Sequence, residues 1–229
     1  MISAARQADR RLPSLQASLG GLSAAPSHLA LRLPVVLALA CSMLAWRMAP
    51  ALQGRLEGAA PPVAPGRAIL SPVFTPEVRR WEEDIISWAA EFSLPPTLIA
   101  TVMQIESCGD AQALSGAGAQ GLFQVMPFHF QPGEDARDPE TNARRGLAYL
   151  ARAMELSAGR VDLALAGYNG GLSRISQAPD SWPAETQRYV AWGSAIYADI
   201  TGGRPTSPAL QAWLEAGGAR LCRAASQPS

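Results

Sequence analysis

Apolar residues recur at steps of three and four between Val78 and Ile200, and proline or glycine interrupts this pattern at intervals. This period is typical of amphipathic α-helices, in which one stripe of side chains faces a core. Thr75 and Pro76 mark the start of the first helix, since threonine is a good N-cap and proline suits the first helical position. No alternating pattern of a half-buried strand follows residue 74. The sequence therefore predicts an all-α domain.

The interruptions divide the chain into predicted helices and connecting segments. Helices are predicted over Thr75–Phe92, Pro96–Ser107, Pro139 to just before Gly159, Val161–Asn169 and Pro183–Ile200. We expect these helices to form one domain over residues 74–203, which is a normal length for a single hydrophobic core. A tail over residues 204–229 follows, with one short helix predicted at Pro208–Glu215.

Residues 1–48 combine arginines with an apolar run, Leu33–Trp46. About 14 apolar residues are too few for a membrane span of about 20 but fit the core of a signal peptide. Ala49-Pro50-Ala51 offers a cleavage site, whereas extension of the run back to Leu29 would make an uncleaved signal anchor. Residues 49–73, rich in proline, glycine and alanine, predict a flexible linker. We therefore expect an extracytoplasmic domain, secreted or anchored to the cytoplasmic membrane by the N-terminal segment.

The composition argues against several classes of function. The 19 basic and 19 acidic residues balance, so the chain lacks the basic excess that nucleic-acid binding requires. Two widely separated histidines and three cysteines without a short spacing do not make a zinc site. We expect no metal, no cofactor and no nucleic-acid partner, and we expect the domain to act as a monomer.

Glu106 lies on the apolar stripe of the second predicted helix, in register with Ile99, Val102 and Met103. A carboxyl group among aliphatic side chains is costly to ionise, so it can retain a proton for donation. This position predicts a general acid. A structural role stays open, because a glutamate at a helix end can also turn towards solvent or cap the following loop.

Four motifs occur in order around and after Glu106. They are "IES" at 105–107, "GAQGLFQVMP" at 118–127, "AGYNGG" at 166–171 and "ETQRYV" at 185–190. In order and approximate spacing they resemble the motifs of the soluble lytic transglycosylases, whose catalytic domain has a goose-type-lysozyme-like fold. The resemblance spans about residues 80–200, essentially the whole predicted domain. Methionine is usual in the family where Phe123 stands, and many relatives carry an Ala-Gly-Pro type of turn where this chain has Gly170-Gly171-Leu172.

The resemblance implies cleavage of the β-1,4 bond between N-acetylmuramic acid and N-acetylglucosamine in peptidoglycan strands. Glu106 matches the family's single catalytic acid, which would protonate the leaving oxygen and then remove the proton of the muramoyl C6 hydroxyl, closing a 1,6-anhydro ring. Two alternatives remain. One is a lysozyme-like muramidase of the same fold, in which Asp110, Asp135 or Asp138 would activate water, and the other is a non-catalytic module that binds cell-wall glycan.

The same resemblance implies substrate-binding roles for further residues of the motifs, which are Ser107, Gly121, Gln124, Met126, Tyr168, Asn169, Glu185 and Tyr189. Ser107 would bond near the acetamido group, and Gly121 would let the backbone approach the sugar. Gln124 would bind sugar hydroxyls over a floor made by Met126. The phenol of Tyr168 would lie near the acid and orient it by a hydrogen bond, and the remaining three residues would line the cleft.

The cysteines give a prediction that depends on export. If the domain is exported, Cys108 and Cys222 remain as a pair once Cys41 is assigned to the N-terminal segment. We predict a disulfide between them, because exported proteins meet oxidising conditions. The bond would hold the C-terminal tail beside the loop that follows Glu106. The alternative is two unrelated small residues, with Cys108 simply packed.

Overall fold

Eight α-helices build the part of the protein that the structure, a computed structural model, describes, which is residues 70–226. The helices are Pro76–Arg79 (α1), Glu82–Phe92 (α2), Pro96–Glu106 (α3), Pro139–Leu156 (α4), Val161–Gly170 (α5), Ala184–Thr201 (α6), Pro208–Trp213 (α7) and Ala219–Ala225 (α8). Short 3₁₀ turns lie at Pro127–His129, Leu172–Ser176 and Pro179–Ser181. The described residues contain isolated β-bridges but no strand, so the predicted all-α fold is confirmed.

Two predictions concern residues that the structure does not describe. The signal peptide or anchor over residues 1–48 and the linker as far as residue 69 lie outside the described part of the chain. Between residues 70 and 226, no helix combines the length and the apolar character that a membrane crossing requires. Leu70 and Phe74 are buried in the core, so the packed domain begins a few residues before the predicted boundary.

The first predicted helix is in fact two helices, because the chain turns between α1 and α2. The Arg80 guanidinium and the Trp81 indole both donate to the backbone carbonyl of Gly109, at 2.7 and 3.0 Å. Thr75 does not cap α1, since its hydroxyl bonds the side-chain oxygen of Gln104 at 3.2 Å instead. The single long helix and the Thr75 cap that the sequence suggested are therefore both absent, because contacts with distant residues are made instead.

Helix α5 is deeply buried, with every residue from Ala164 to Gly170 inaccessible or nearly so. It packs against both α4 and α6, while α3 packs against α2 and α6. The predicted apolar stripe of α3 is fully buried, at Ile99, Val102 and Met103. This packing brings the ends of α3 and α5 together beside α6.

The residues after 203 do not form a tail with one short helix, which corrects the prediction. Helix α7 is followed by a kinked turn, Leu214–Gly218, in which Gly217 has a non-helical φ of 128°, and then by α8. Leu210, Trp213 and Cys222 are all buried in the hydrophobic core. Gly218 permits this packing, because a Cβ at that position would lie 2.3 Å from the Trp213 ring. The C-terminal helices are therefore part of the domain.

Asp199, near the end of α6, anchors the start of this C-terminal extension. Its carboxylate accepts hydrogen bonds from the Ser207 hydroxyl at 2.8 Å and the Ala209 amide at 3.2 Å, and it pairs with Arg204 at 3.1 Å. The pKa of Asp199 is lowered, first by the hydrogen bond from Ser207 and then by the Ala209 amide and the charge of Arg204. The stability that the Asp199 carboxylate gives to the fold is therefore fully present above the ordinary pKa of an aspartate. It is lost as the pH falls through the lowered pKa of Asp199.

Cys108 and Cys222 form a disulfide bond, with their Cα atoms 4.9 Å apart. The bond joins the turn after α3 to helix α8 across a sequence separation of 114 residues. Both cysteines are buried, so the link lies inside the domain rather than on its surface. This is the pair that the sequence predicted, and it explains why the C-terminal helix stays close to the end of α3.

We expect the Cys222→Ser variant to lose about 4 kcal/mol of unfolding free energy, because a long loop is no longer closed in the unfolded chain. Urea denaturation of both proteins under oxidising conditions measures the difference. The control is the same pair of measurements in a reducing agent, in which the two stabilities should converge. Equal stability of variant and parent under oxidising conditions would contradict a disulfide in the folded protein.

Candidate active site

A cleft of about 410 Å³ opens where α3, α5, α6 and α8 approach one another. Five of the residues predicted for the site line it, and these are Glu106, Gln124, Asn169, Glu185 and Tyr189. They come from α3, the loop before α4, the end of α5 and the first turns of α6. The structure therefore brings all four sequence motifs to this region, although not every predicted residue reaches the cleft.

Glu106 is the last residue of α3, and its side chain lies in the wall of the cleft with 6% of its surface exposed. The helix ends here because the next residues leave the helical conformation, with φ of 53° at Cys108 and 80° at Gly109. A Cβ at residue 109 would lie 2.4 Å from the Glu77 carbonyl oxygen, so this position requires glycine. The turn thus places a largely buried carboxyl group at the edge of an open space.

Two buried phenols lie close enough to Glu106 to feel its charge. Burial first, and then the negative charge of Glu106, raise the pKa of both Tyr168 and Tyr189 well above the ordinary value. Tyr168 donates its hydroxyl hydrogen to the Phe123 carbonyl at 2.7 Å and does not line the cleft. The buried Tyr189 hydroxyl lies near the Glu106 carboxyl, and a hydrogen bond with that carboxyl adds to the rise in the pKa of Tyr189. The Tyr168 hydroxyl hydrogen is therefore used by a backbone carbonyl, although Tyr168 does lie near the acid as the sequence suggested.

The Gln124 side chain is held by its own loop and presents one polar atom to the cleft. Its backbone has a left-handed φ of 46°. Its side-chain nitrogen donates to the carbonyl oxygens of Gly121 at 3.0 Å and Ala113 at 3.3 Å. Both amide hydrogens are thus used, which leaves the side-chain carbonyl oxygen to accept a hydrogen bond from a ligand.

Asn142 of α4 supports the loop that carries Gln124, and the sequence analysis did not identify it. Its side chain is fully buried and accepts from the Phe123 amide at 2.9 Å. It also donates to the carbonyls of Gln120 and Ala136, each at 2.8 Å. A polar residue among the buried positions of an amphipathic helix was the signal that could have revealed it.

The predicted contact of Gly121 with a sugar is corrected by this arrangement. Gly121 is buried at a φ of +72°, and a Cβ there would lie 2.4 Å from the Asn142 side-chain nitrogen. The close approach that this glycine permits is therefore to Asn142.

Ser107 and Met126 also lie behind the cleft wall rather than on it. The Ser107 hydroxyl donates to the Leu122 carbonyl at 2.7 Å and accepts from the Gly109 amide at 3.1 Å. Met126 is buried within the hydrophobic core cluster. Neither residue lines the cleft, so their predicted substrate contacts are not supported, and both act by holding the site's framework.

Asn169 and Glu185 do line the cleft, from α5 and α6. The side-chain oxygen of Asn169 accepts a bond from the Thr186 hydroxyl at 2.9 Å, which ties the two helices together beside the site. Glu185 is exposed in the first turn of α6, where the helix dipole favours an acidic residue. It is the second carboxylate of the cleft.

The sequence analysis missed the remaining wall of the cleft. The loop 113–116 contributes one part, and Arg220 and Leu221 of α8 contribute another. The predicted disulfide was the signal available for α8, because it placed the C-terminal segment beside the turn that follows Glu106.

We expect the Gly121→Ala variant to be destabilised strongly, because it adds a clash with Asn142 to an unfavourable left-handed backbone. The matched control is Gly118→Ala, at φ +90° with no atom within 4 Å of its added Cβ. The control should lose about 1–2 kcal/mol of unfolding free energy because of its backbone conformation alone. Gly121→Ala should lose about 1–3 kcal/mol more than the control because of the added clash. Urea denaturation of both variants tests this order. Equal losses would show that Asn142 does not restrict the position.

We expect the two tyrosines to respond differently to loss of the hydroxyl. Tyr168→Phe leaves the buried Phe123 carbonyl without its donor, at a cost of about 1–3 kcal/mol in unfolding free energy. Tyr189→Phe removes a hydroxyl that lies beside the Glu106 carboxyl and bonds no backbone group among residues 70–226, so the unfolding free energy should stay within about 0.5 kcal/mol of the parent. Thermal or urea unfolding distinguishes them. The reverse order would mean that Tyr189, not Tyr168, is the structural phenol.

The chain resembles known proteins over the region that contains this cleft. Residues 83–189 match the family described as the transglycosylase SLT domain. A transglycosylase of Enterobacteria phage PRD1 is 36% identical over 112 residues, which are 48% of this chain and 40% of that protein. Among solved structures, an inactive mutant of the lytic transglycosylase Slt from Pseudomonas aeruginosa shares 25% identity, with a TM-score of 0.46 over 56% of this chain and 25% of the other. The chain thus spans less than half the length of either relative, and residues 83–189 of its helical domain are similar to the transglycosylase SLT domain.

Proposed function

We propose that this domain is a peptidoglycan lytic transglycosylase. It cleaves the β-1,4 bond between N-acetylmuramic acid and N-acetylglucosamine and leaves 1,6-anhydromuramoyl ends, with Glu106 as the only acid and base. The observation that carries the proposal is the largely buried Glu106 carboxyl in the wall of a cleft, within a region that matches the SLT domain. The cleft volume of about 410 Å³ lies in the range of ligand sites.

The proposed reaction uses Glu106 twice. In its protonated form the carboxyl group gives a proton to the glycosidic oxygen as the bond from C1 to that oxygen breaks. The resulting carboxylate then takes the proton of the muramoyl C6 hydroxyl while that oxygen forms a bond to C1. The proton that Glu106 loses in the first half is regained in the second, so the enzyme is unchanged and no water is consumed. The substrate's own acetamido group stabilises the developing positive charge, so this scheme needs no second carboxylate.

The surrounding groups support this use of one acid. The Tyr189 hydroxyl faces the Glu106 carboxyl and can hold one orientation of it through both halves of the reaction. The Gln124 carbonyl oxygen is available for a sugar hydroxyl, and Asn169 is braced by Thr186 beside the cleft. Each of these side chains is held by the fold before a ligand binds, which limits the entropy lost on binding.

The muramidase alternative is less well supported by the geometry. A hydrolase of this kind would need an aspartate near the bond to activate water, and Asp110, Asp135 and Asp138 all lie outside the cleft lining. Asp138 caps α4 instead, accepting from the Thr141 amide at 2.8 Å. Glu185 is the one remaining carboxylate of the lining, and it lies exposed in the first turn of α6.

We also propose that the domain works outside the cytoplasm on cell-wall strands, exported or anchored by the N-terminal segment. The buried disulfide supports this, because such bonds persist in oxidising compartments.

We expect Glu106→Gln to reduce the cleavage rate at least about 10³-fold, because the amide can neither give nor take the proton. Release of muropeptides from purified peptidoglycan, followed by mass spectrometry, measures both the rate and the product. The parent protein should release anhydro ends, each lighter by one water than a reducing end.

Three outcomes would contradict this. Reducing ends would identify a muramidase. A parent protein that binds glycan strands but never cleaves them would identify a binding module. Retained cleavage by Glu106→Gln with its fold intact would place the acid elsewhere. A sedimentation assay should show that Glu106→Gln still binds the strands.

A further inference from the structure

Helix α8 contributes a positive charge to the cleft. Arg220 and Leu221 are both exposed, and both line the same space as Glu106 and Glu185. Within residues 70–226, the Arg220 guanidinium has no ion pair or hydrogen bond, whereas several surface arginines of the domain do, such as Arg160 with Asp162. A guanidinium without a protein partner in a ligand-sized cleft is available to a negatively charged group.

The fold holds this arginine in place at both ends of its helix. Cys222, two residues after Arg220, is bonded to Cys108, two residues after Glu106. One covalent link thus fixes the acid and the arginine relative to each other. At the helix start, Gly218 packs against the Trp213 ring, and at its end the Ser226 hydroxyl donates to Glu77 at 2.7 Å. Arg220 therefore lies on a fixed wall and not on a free tail.

A glycan strand offers few groups for a guanidinium to recognise. Its sugar rings carry neutral hydroxyl and acetamido groups, while the negative charges of peptidoglycan are carboxylates on the lactyl and peptide substituents of the muramoyl residues. Arginine binds carboxylates through two parallel hydrogen bonds, which gives both affinity and orientation. Leu114 and Leu221, exposed in the same lining, offer apolar contacts for the neighbouring methyl groups.

We propose that Arg220 is a substrate-binding residue that recognises a carboxylate carried by the muramoyl substituent of the strand. The inference rests on the proposed function, since it assigns a part of the substrate to the same cleft. It makes the C-terminal helix a selector for strands with charged substituents over neutral glycan.

The test compares two substrates that differ only in charge. They are soluble, uncross-linked peptidoglycan strands and the same strands after conversion of their carboxyl groups to amides with carbodiimide and ammonium chloride. Arg220→Gln should raise KM about tenfold on the charged strands with kcat unchanged, and it should have no effect on the amidated strands. Arg220→Lys should recover part of the loss, and the effect should shrink as salt rises.

Arg223 provides the matched control. It lies on the same helix, is exposed and does not line the cleft. Arg223→Gln removes the same net charge and should leave KM unchanged on both substrates. An equal rise in KM for Arg220→Gln and Arg223→Gln would mean that only the total charge of the helix matters, and it would overturn the proposal.

Two other results would also overturn it. The first is an unchanged KM for Arg220→Gln on charged strands. The second is an equal rise on both substrates, which would mean that Arg220 acts on the protein, for example on Glu185. Failure of the proposed function looks different, because the parent protein would then not cleave the charged strands. In that case binding of both substrates to Glu106→Gln, with and without Arg220→Gln, still measures the charge preference.

Discussion

The turn at Ser107–Gly109 determines where the acid of this domain lies, because three distant parts of the chain bind to it. The Gly109 carbonyl accepts bonds from Arg80 and Trp81, the Ser107 hydroxyl bonds the Leu122 carbonyl, and Cys108 is linked to Cys222. A helix end is normally the part of a helix most prone to fray. Here the packing removes that freedom, so Glu106 stays at one position in the cleft wall.

The cleft is built in two tiers, and this explains why some residues of the motifs do not reach it. The inner tier consists of Tyr168, Asn142 and Ser107, whose polar atoms are satisfied by backbone groups of the loop 107–138. The outer tier faces the open space and includes Gln124 and Tyr189. Members of the inner tier act on a ligand only by holding the outer tier in position, in the way that supporting shells do in other enzyme sites.

The C-terminal helices change the character of the site. Without them the acidic side chains of the lining, Glu106 and Glu185, would have no basic neighbour in it, and α8 adds the guanidinium of Arg220. The disulfide keeps Arg220 in the cleft wall, since it links α8 to the turn that follows Glu106. A segment that the sequence suggested to be a tail with one short helix thus becomes part of the cleft wall.

Much of this molecule follows from relations between residues a few positions apart. The helical period, the breaks at proline and glycine, and the acid on the apolar stripe of α3 were all correctly expected from the sequence. These features depend on local geometry, which the order of residues specifies directly. The break between α1 and α2 escaped prediction, because it depends on bonds to Gly109, about thirty positions away.

The sequence by itself determined the all-helical fold and the placement of Glu106 at the end of a buried helix. Only the tertiary structure decided which polar side chains face the cleft. The Tyr168 hydroxyl donates its hydrogen to a backbone carbonyl 45 residues earlier, whereas the Tyr189 hydroxyl lies beside the acid. Arg220 lies at the cleft because a disulfide between residues 114 positions apart holds its helix there. The physical reason is that a donor's availability depends on every group packed around it. Those groups come from segments that the folded chain, and not the local sequence, brings together.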